Sequence, residues 1–323
     1  MRDESWISER PQVSIIVPVH DEGALLMEAI DSLLRQMGET LPSFEIIVVD
    51  DASTDPVTLK LLEELRDRDR RITVLENSRS KGVSGARNTG ITASTGCWLA
   101  FLDADDLWLQ CGLAERWKAI QAYPDAKWLA ARHVSWRPGT ELDSRQLRED
   151  SPILYSHVGE DFDAGRVSCL RRPVRLFLAD CPVQTGTVMC RRDLAIEQGM
   201  FDESLARAED YLLWLKFASN QDLYYVPKTV AVYRLRPGSL TRSGHPIGYG
   251  MHAVLEKLSE DGRFVPYRDE IRQRLGHALN GYCFFYRQMR QRSAAIRWSL
   301  RLLAHDPLCL QGWKHLIAAT VGR

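Results

Sequence analysis

The 323-residue chain lacks several features that would point to particular chemistries. No apolar run approaches the roughly 20 residues a bilayer-spanning helix needs. The seven cysteines (Cys97, Cys111, Cys169, Cys181, Cys190, Cys283, Cys309) include no CxxC pair, which argues against a zinc ribbon and against a disulfide framework. The opening MRDESWISERPQ is polar and lacks the apolar core of a secretory signal, so a reducing, cytoplasmic setting is expected. There is no internal repeat. There is almost no net charge either, −1 overall, but its distribution is uneven. From Phe264 to Arg323 ten Lys/Arg face three acids, giving a +7 tail and leaving −8 for the rest. No nucleic-acid motif accompanies that basic tail. An anionic membrane surface is the expected partner, if the tail has one.

What is present is strand–helix alternation. "VSIIVPV" (13–19), "FEIIVVDD" (44–51), "RITVLEN" and "CWLAFLD" read as buried strands. Leu25, Leu26, Ala29, Ile30, Leu33 and Leu34 recur at helical spacing after the first strand. Asp55-Pro56 is an N-cap followed by proline at the first helical position. The pattern predicts an α/β fold with a mainly parallel central sheet flanked by helices. Residues 137–180 show weak periodicity and read as an insertion or long loop. "TGTVMCRR" (185–192) reads as a strand, and "LYYVPKTVAVYRLR" as a strand pair or hairpin. From about 246 to 323 the pattern is a basic helical extension.

Carboxylates gather where these elements end. Asp50-Asp51 follow the second strand, Asp103-Ala104-Asp105-Asp106 follow "LAFL", and Glu209-Asp210 open "YLLWLKFA". In a parallel sheet, ligands bind beyond the carboxyl ends of the strands. Asp103 and Asp105, two apart on an extended segment, present oxygens to one side. Hard oxygen donors suit Mg²⁺ or Mn²⁺, shared with substrate phosphates. The alternative is ordinary: these acids are helix caps or solvated loop residues, with Asp106 capping the next helix and Glu209-Asp210 complementing a helix dipole.

Seven segments occur in one order: "VSIIVPVHDE", "EIIVVDDAST", "GVSGARNTGI", "WLAFLDADDLW", "QTGTVMCRR", "GMFDESL" and "AEDYLLWLKFA". Over roughly residues 11–240 the series resembles the family-2 inverting glycosyltransferases of GT-A fold. The resemblance implies a nucleotide-binding and catalytic domain over 1–245, with 137–180 as an acceptor region, followed by the extension 246–323. It implies a nucleotide-sugar donor, UDP-linked, and a glycan or lipid-linked saccharide acceptor. It places Pro18, His20, Asp21, Glu22, Asp50, Asp51, Arg87 and Asp103 near the nucleotide, with Asp51 accepting from a base N–H and Asn88 bracing its loop. Asp105 becomes the main metal ligand with Asp103 beside it, Asp210 the general base, and Glu209 its support. Two departures stand out. His20-Asp21 replaces the family's Tyr-Asn, and "VYRLRPGSLTRSGH" carries Arg236 where relatives have histidine. There Arg234, Arg236 and Arg242 are expected to clamp the diphosphate; His245 as a displaced metal ligand is the disfavoured alternative. A nucleotidyltransferase is disfavoured, because the first strand is not followed by a glycine-rich phosphate loop. A non-catalytic nucleotide- or glycan-binding protein is disfavoured by the retained acids.

Overall fold

A computed structural model describes residues 10–140, 151–236, 246 and 248–321. The chain divides into two compact units. One contains the residues up to Glu203 together with Leu213–Leu235; the other contains Ser204–Leu212 and the residues from Arg236 onward. The C-terminal segment of the second unit thus begins ten residues before the boundary read from the sequence, and the unit also takes in Glu209 and Asp210.

The first unit is built on one nine-stranded sheet. Strands β1 (Val13–Val19), β2 (Phe44–Asp50), β3 (Ile72–Glu76) and β4 (Trp98–Phe101) lie in the order β3-β2-β1-β4, all parallel. Every residue of β1 is buried, which is why its side chains do not alternate between apolar and polar. Three helices make the crossovers: α1 (Leu25–Leu34), α2 (Pro56–Arg66) and α3 (Val83–Ala93). Asp55 caps α2 as expected, its carboxylate accepting from the Thr58 amide at 2.8 Å. Gly90 lets α3 sit against β1, since a Cβ there would lie 2.5 Å from Ile16 Cγ2.

Beyond β4 the pairing is mixed. β5 (Leu107–Trp108) and α4 (Gly112–Ala122) lead to β6 (Trp128–Trp136). The 137–180 region is partly regular where it is described: α5 (Pro152–Asp163), β7 (Ser168–Leu170) and α6 (Val174–Ala179). "TGTVMCRR" splits into a 3₁₀ turn, Thr185–Thr187, and a three-residue strand β8 (Met189–Arg191), antiparallel to β4 and β6. After α7 (Arg192–Glu197) and α8 (Glu209–Asn220), "LYYVPKTVAVYR" forms one strand, β9 (Leu223–Arg234), rather than a hairpin. Pro227 lies within this strand. The chain passes it with a register shift against β6 between Ala131 and His133. Both faces of the sheet are covered; Trp128, Trp214, Phe177 and Phe217 interlock on one of them.

The second unit holds four further helices: α9 (Met251–Glu260), α10 (Arg268–Gln288), α11 (Arg292–His305) and α12 (Leu310–Val321). Helices α10, α11 and α12 pack on one another. Tyr249, His252, Tyr282 and Trp298 form an edge-to-face aromatic cluster, and the Tyr282 hydroxyl donates to the Gly248 carbonyl at 2.7 Å. Burial, followed by the charge of Arg301, pushes His252 below its usual range.

Candidate active site

Parallel register brings the carboxyl ends of β1, β2 and β4 to one edge of the sheet. Val19 pairs with Asp50, and the amides of Asp51 and Leu102 donate to Val19 and Ile16 at 2.8 and 3.1 Å. The loops carrying His20–Glu22, Asp51–Asp55 and Asp103–Asp106 therefore leave the sheet together. Pro18 stays inside β1, buried and paired with Val49.

The first two loops are tied to each other. Asp21 accepts from the amides of Asp55 (2.8 Å) and Thr54 (2.6 Å) and from the Thr54 hydroxyl (3.1 Å). These bonds, the Asp55 amide foremost, hold its carboxyl below the usual range. Asp50 accepts from the Ser53 amide at 3.0 Å and so shapes the same turn. Asp21 and Ala52 have φ of 55° and 58°, left-handed conformations that non-glycine residues adopt at a cost. Exposed His20 lies beside Asp21, its Nε2 3.9 Å from Oδ2.

Asp51 is buried and already bonded. It accepts from Asn77 Nδ2 at 2.6 Å and from the Gly82 amide at 2.8 Å. The segment 77–82 is itself anchored. Glu203 accepts from Arg79 Nε (2.6 Å), Asn88 Nδ2 (2.8 Å) and the Ser80 amide (3.3 Å). Burial would raise Glu203, but these donors outweigh it and hold the carboxyl at about 2. Asn88 also exchanges bonds with the backbone of Phe201, so it braces the 201–203 turn as well as its own helix. Glu203 and Asn77 were missed as functional residues, although the motifs around them were conspicuous. Their importance comes from long-range pairing that spacing does not reveal.

The three carboxylates after β4 meet different fates. Asp103 is partly exposed, and Arg87 Nη2 donates to its Oδ1 at 2.7 Å. Arg87 is almost wholly buried, with its guanidinium over the Phe201 ring at 5.1 Å. The cation that offsets this acidic crowd is thus in part the protein's own, placed by the "ARN" of α3. Asp105 is also partly exposed. Asp106 points inward and does not cap α4, whose N-cap, Cys111, makes no side-chain cap bond. It accepts from the Arg234 amide (2.9 Å) and Gln184 Nε2 (3.0 Å). Burial, reinforced by Asp103 and Asp105, pushes its carboxyl well above the usual range. Gln184 is held by its turn. The Gly186 carbonyl accepts from Trp108 Nε1 (2.8 Å) and from the fully buried Arg116 (3.2 Å), which stacks on Trp108 at 3.9 Å.

Arg234 corrects an expectation. It is the last residue of β9 rather than part of a loop, and its buried guanidinium pairs with Glu28 at 2.7 Å. The packing of β9 against β6 draws it inward. Arg236 belongs to the second unit; Arg242 and His245 lie outside the described residues. In the second unit Glu209 and Asp210 open α8 after Ala208, whose φ is 60°. Glu209 is buried, whereas Asp210 is half-buried and accepts from the Tyr211 amide at 2.7 Å.

For a divalent ion, the oxygens of Asp103 and Asp105 are hard donors on a partly open edge, and they fit Mg²⁺ or Mn²⁺. Among the described residues no three His, Cys, Asp or Glu converge on one point, so an ion there would need ligands from its substrate.

The family model described as glycosyl transferase family 2 matches residues 14–162. The UDP-Glc:alpha-D-GlcNAc-diphosphoundecaprenol beta-1,3-glucosyltransferase WfgD of Escherichia coli is 40% identical over 212 residues, 65% of this chain and 71% of WfgD. The succinoglycan biosynthesis protein ExoO of Rhizobium meliloti is 28% identical, covering 98% of this chain and 88% of ExoO. The crystal structure of residues 1–349 of Staphylococcus aureus TarS in complex with UDP-GlcNAc shares the fold, with a TM-score of 0.63 at 20% identity over 96% of this chain and 88% of that one. Several other curated relatives are longer, and the chain spans only about a third of their length. The ordered acids on the sheet edge and this degree of identity agree: the chain belongs to glycosyl transferase family 2.

Proposed function

We propose that the chain transfers a sugar from a nucleoside diphosphate donor, UDP-linked, to a hydroxyl of a glycan or lipid-linked saccharide in the building of a cell-surface polysaccharide. The observation that carries this reading is the placement of Asp51, Asp103 and Asp105 just beyond the carboxyl ends of the parallel strands β2 and β4, which flank β1, with Arg87 paired to Asp103. The UDP-sugars named for WfgD and for the TarS complex support the donor class. The diphosphoundecaprenol in WfgD's name and the succinoglycan in ExoO's support the acceptor class.

In this reading the loops of Asp21 and Asp51 hold the nucleoside, and Asp51 offers its remaining lone pairs to a base N–H. Asp103 and Asp105 would hold Mg²⁺ or Mn²⁺, which when bound offsets charge on the departing diphosphate. Arg87 holds the Asp103 carboxylate in place for that task. Asp210 takes the proton of the acceptor hydroxyl as that oxygen bonds to the anomeric carbon, and one displacement inverts its configuration.

The test is turnover with a panel of sugar nucleotides and undecaprenyl-diphosphate saccharides, with Mn²⁺, Mg²⁺ or a chelator. Release of UDP with formation of a glycosidic bond, abolished by the chelator, is expected. Release of pyrophosphate would indicate nucleotidyl transfer instead. Donor binding without turnover against any acceptor would favour a binding protein.

A further inference from the structure

Helix α12 is amphipathic in the inverted sense. Its buried positions are Gly312, His315 and Ala319, small or polar, while Leu310, Trp313, Ile317 and Val321 are 76%, 49%, 58% and 65% exposed. The spacing i, i+3, i+7, i+11 puts these four on one stripe of the helix. Leu308, 88% exposed, extends the stripe at its N-terminal end. Of the apolar tail residues conspicuous in the sequence, Tyr282, Tyr286, Trp298, Leu302 and Leu303 are spent on internal packing. The α12 stripe is not.

We infer that this stripe is a docking face for an anionic bilayer, with α12 lying in the plane of the headgroups. Charge selects the occupant. Pro307 to Arg323 contains no acid. Exposed Lys314 lies on the stripe itself, and exposed Arg292 reaches the Thr320 carbonyl at its C-terminal end. Apolar side chains flanked by Lys314 and Arg292 suit acyl chains beneath anionic headgroups, with Asp306, which accepts from the Leu308 amide at 3.1 Å, at the N-terminal end. Trp313 has the amphipathic ring of interfacial belts; its Nε1 donates to the Pro307 carbonyl at 3.0 Å, which leaves the indole body outward. Twelve residues make a helix of roughly 18 Å, which can lie on a bilayer but not cross it. A second copy of the chain fits less well. Five such side chains offer roughly 500 Å², short of the ~800 Å² per partner of a standard interface, and Lys314 would meet its own image across a two-fold axis.

The stripe exists whatever the enzyme's acceptor; the choice of a membrane deepens the proposal of a lipid-linked acceptor and rests on it. The full chain would be floated with vesicles of phosphatidylcholine alone and with about one-third phosphatidylglycerol. Binding to the anionic vesicles, weakened by salt, is expected. Leu310→Asp/Ile317→Asp should cut partitioning at least tenfold, with the melting temperature unchanged because both side chains are exposed. Lys314→Gln should cut it roughly fivefold, as expected for one basic residue near an anionic surface. Equal flotation of Leu310→Asp/Ile317→Asp and the parent, or no flotation of the parent at low salt, overturns the inference. So does a parent dimer in sedimentation that the same pair of substitutions disperses. UDP release from a soluble acceptor separates the two readings. Turnover without vesicle binding removes only the docking face, and vesicle binding without turnover removes only the transferase.

Discussion

Arg87 donates to Asp103 across 2.7 Å, and the two residues differ sharply in exposure: the guanidinium is almost wholly buried, while the carboxylate is about a third exposed. The buried partner therefore depends on the pair more than the exposed one does. Removing the Asp103 carboxylate takes a charged partner from a buried cation; removing Arg87 leaves an acid that water can reach. Asp103→Asn should cost about 2–4 kcal/mol and Arg87→Met about 1–2 kcal/mol, the latter reduced by solvent screening. The double substitution should cost less than their sum. A double-mutant cycle by urea denaturation measures this, and additive losses would mean that the two residues are not coupled.

Asp106 gives a pH-dependent prediction. Its carboxyl is raised in the folded chain, so above the unfolded value near 3.9 the native state retains a proton that the unfolded chain has released. Native stability from this group accordingly falls as pH rises from about 4 towards the folded value. Asp106→Asn removes that dependence. The Arg234 amide keeps its acceptor, and a turn of the Gln184 amide presents Oε1, a buried atom that has no partner at present, to the new N–H. The variant should gain stability relative to the parent between pH 4.5 and pH 7.5, measured by denaturant midpoint at each. A loss that is equal at both values would show Asp106 to be ionised throughout.

How far the sequence carried this argument depended on range. Apolar runs and caps are local, so β1, β2, α1 and the Asp55 cap were legible, and so was the sheet edge on which Asp51, Asp103 and Asp105 sit. Hydrogen-bond partners are not local. Nothing in "DADD" says that Asp106 turns inward to Gln184, 78 residues later, or that Asp103 rather than a surface acid partners Arg87. Arg234 fell both in the strand reading and in the loop that the resemblance implied; pairing with β6 extends the strand through it. The 137–180 region hid α5 and α6 because α6, six residues long, is too short to show a period and the flanks are rich in arginine and aspartate.

Gly85 tests the scaffold behind Asp51. A Cβ there would sit 1.8 Å from the Ser80 carbonyl oxygen and 3.2 Å from Asn77 Nδ2, the group that donates to Asp51. Gly85→Ala must therefore displace segment 77–82. A cost of about 1–3 kcal/mol is expected from overpacking, together with a donor KM raised roughly tenfold and kcat little changed. Gly281→Ala is the control. Nothing lies within 4 Å of a Cβ there, so this helical position should gain about 0.5–1 kcal/mol. A donor KM unmoved by Gly85→Ala would detach Asp51 from nucleotide binding.

Burial separates the two acids that open α8. Glu209 is buried; Asp210 is half-buried and accepts from the Tyr211 amide. A base that takes a proton from an incoming hydroxyl must be reachable, which favours Asp210 for the chemistry and Glu209 for holding the helix start. Asp210→Asn should lower kcat by about 10²–10⁴ while leaving donor affinity and melting temperature nearly unchanged. Glu209→Gln should do the reverse, lowering the melting temperature by several degrees and kcat by less than about tenfold. Calorimetric titration with UDP separates the outcomes. If Asp210→Asn abolishes binding of UDP, the residue belongs to the donor site, and the proton acceptor must be sought among the other half-exposed carboxylates.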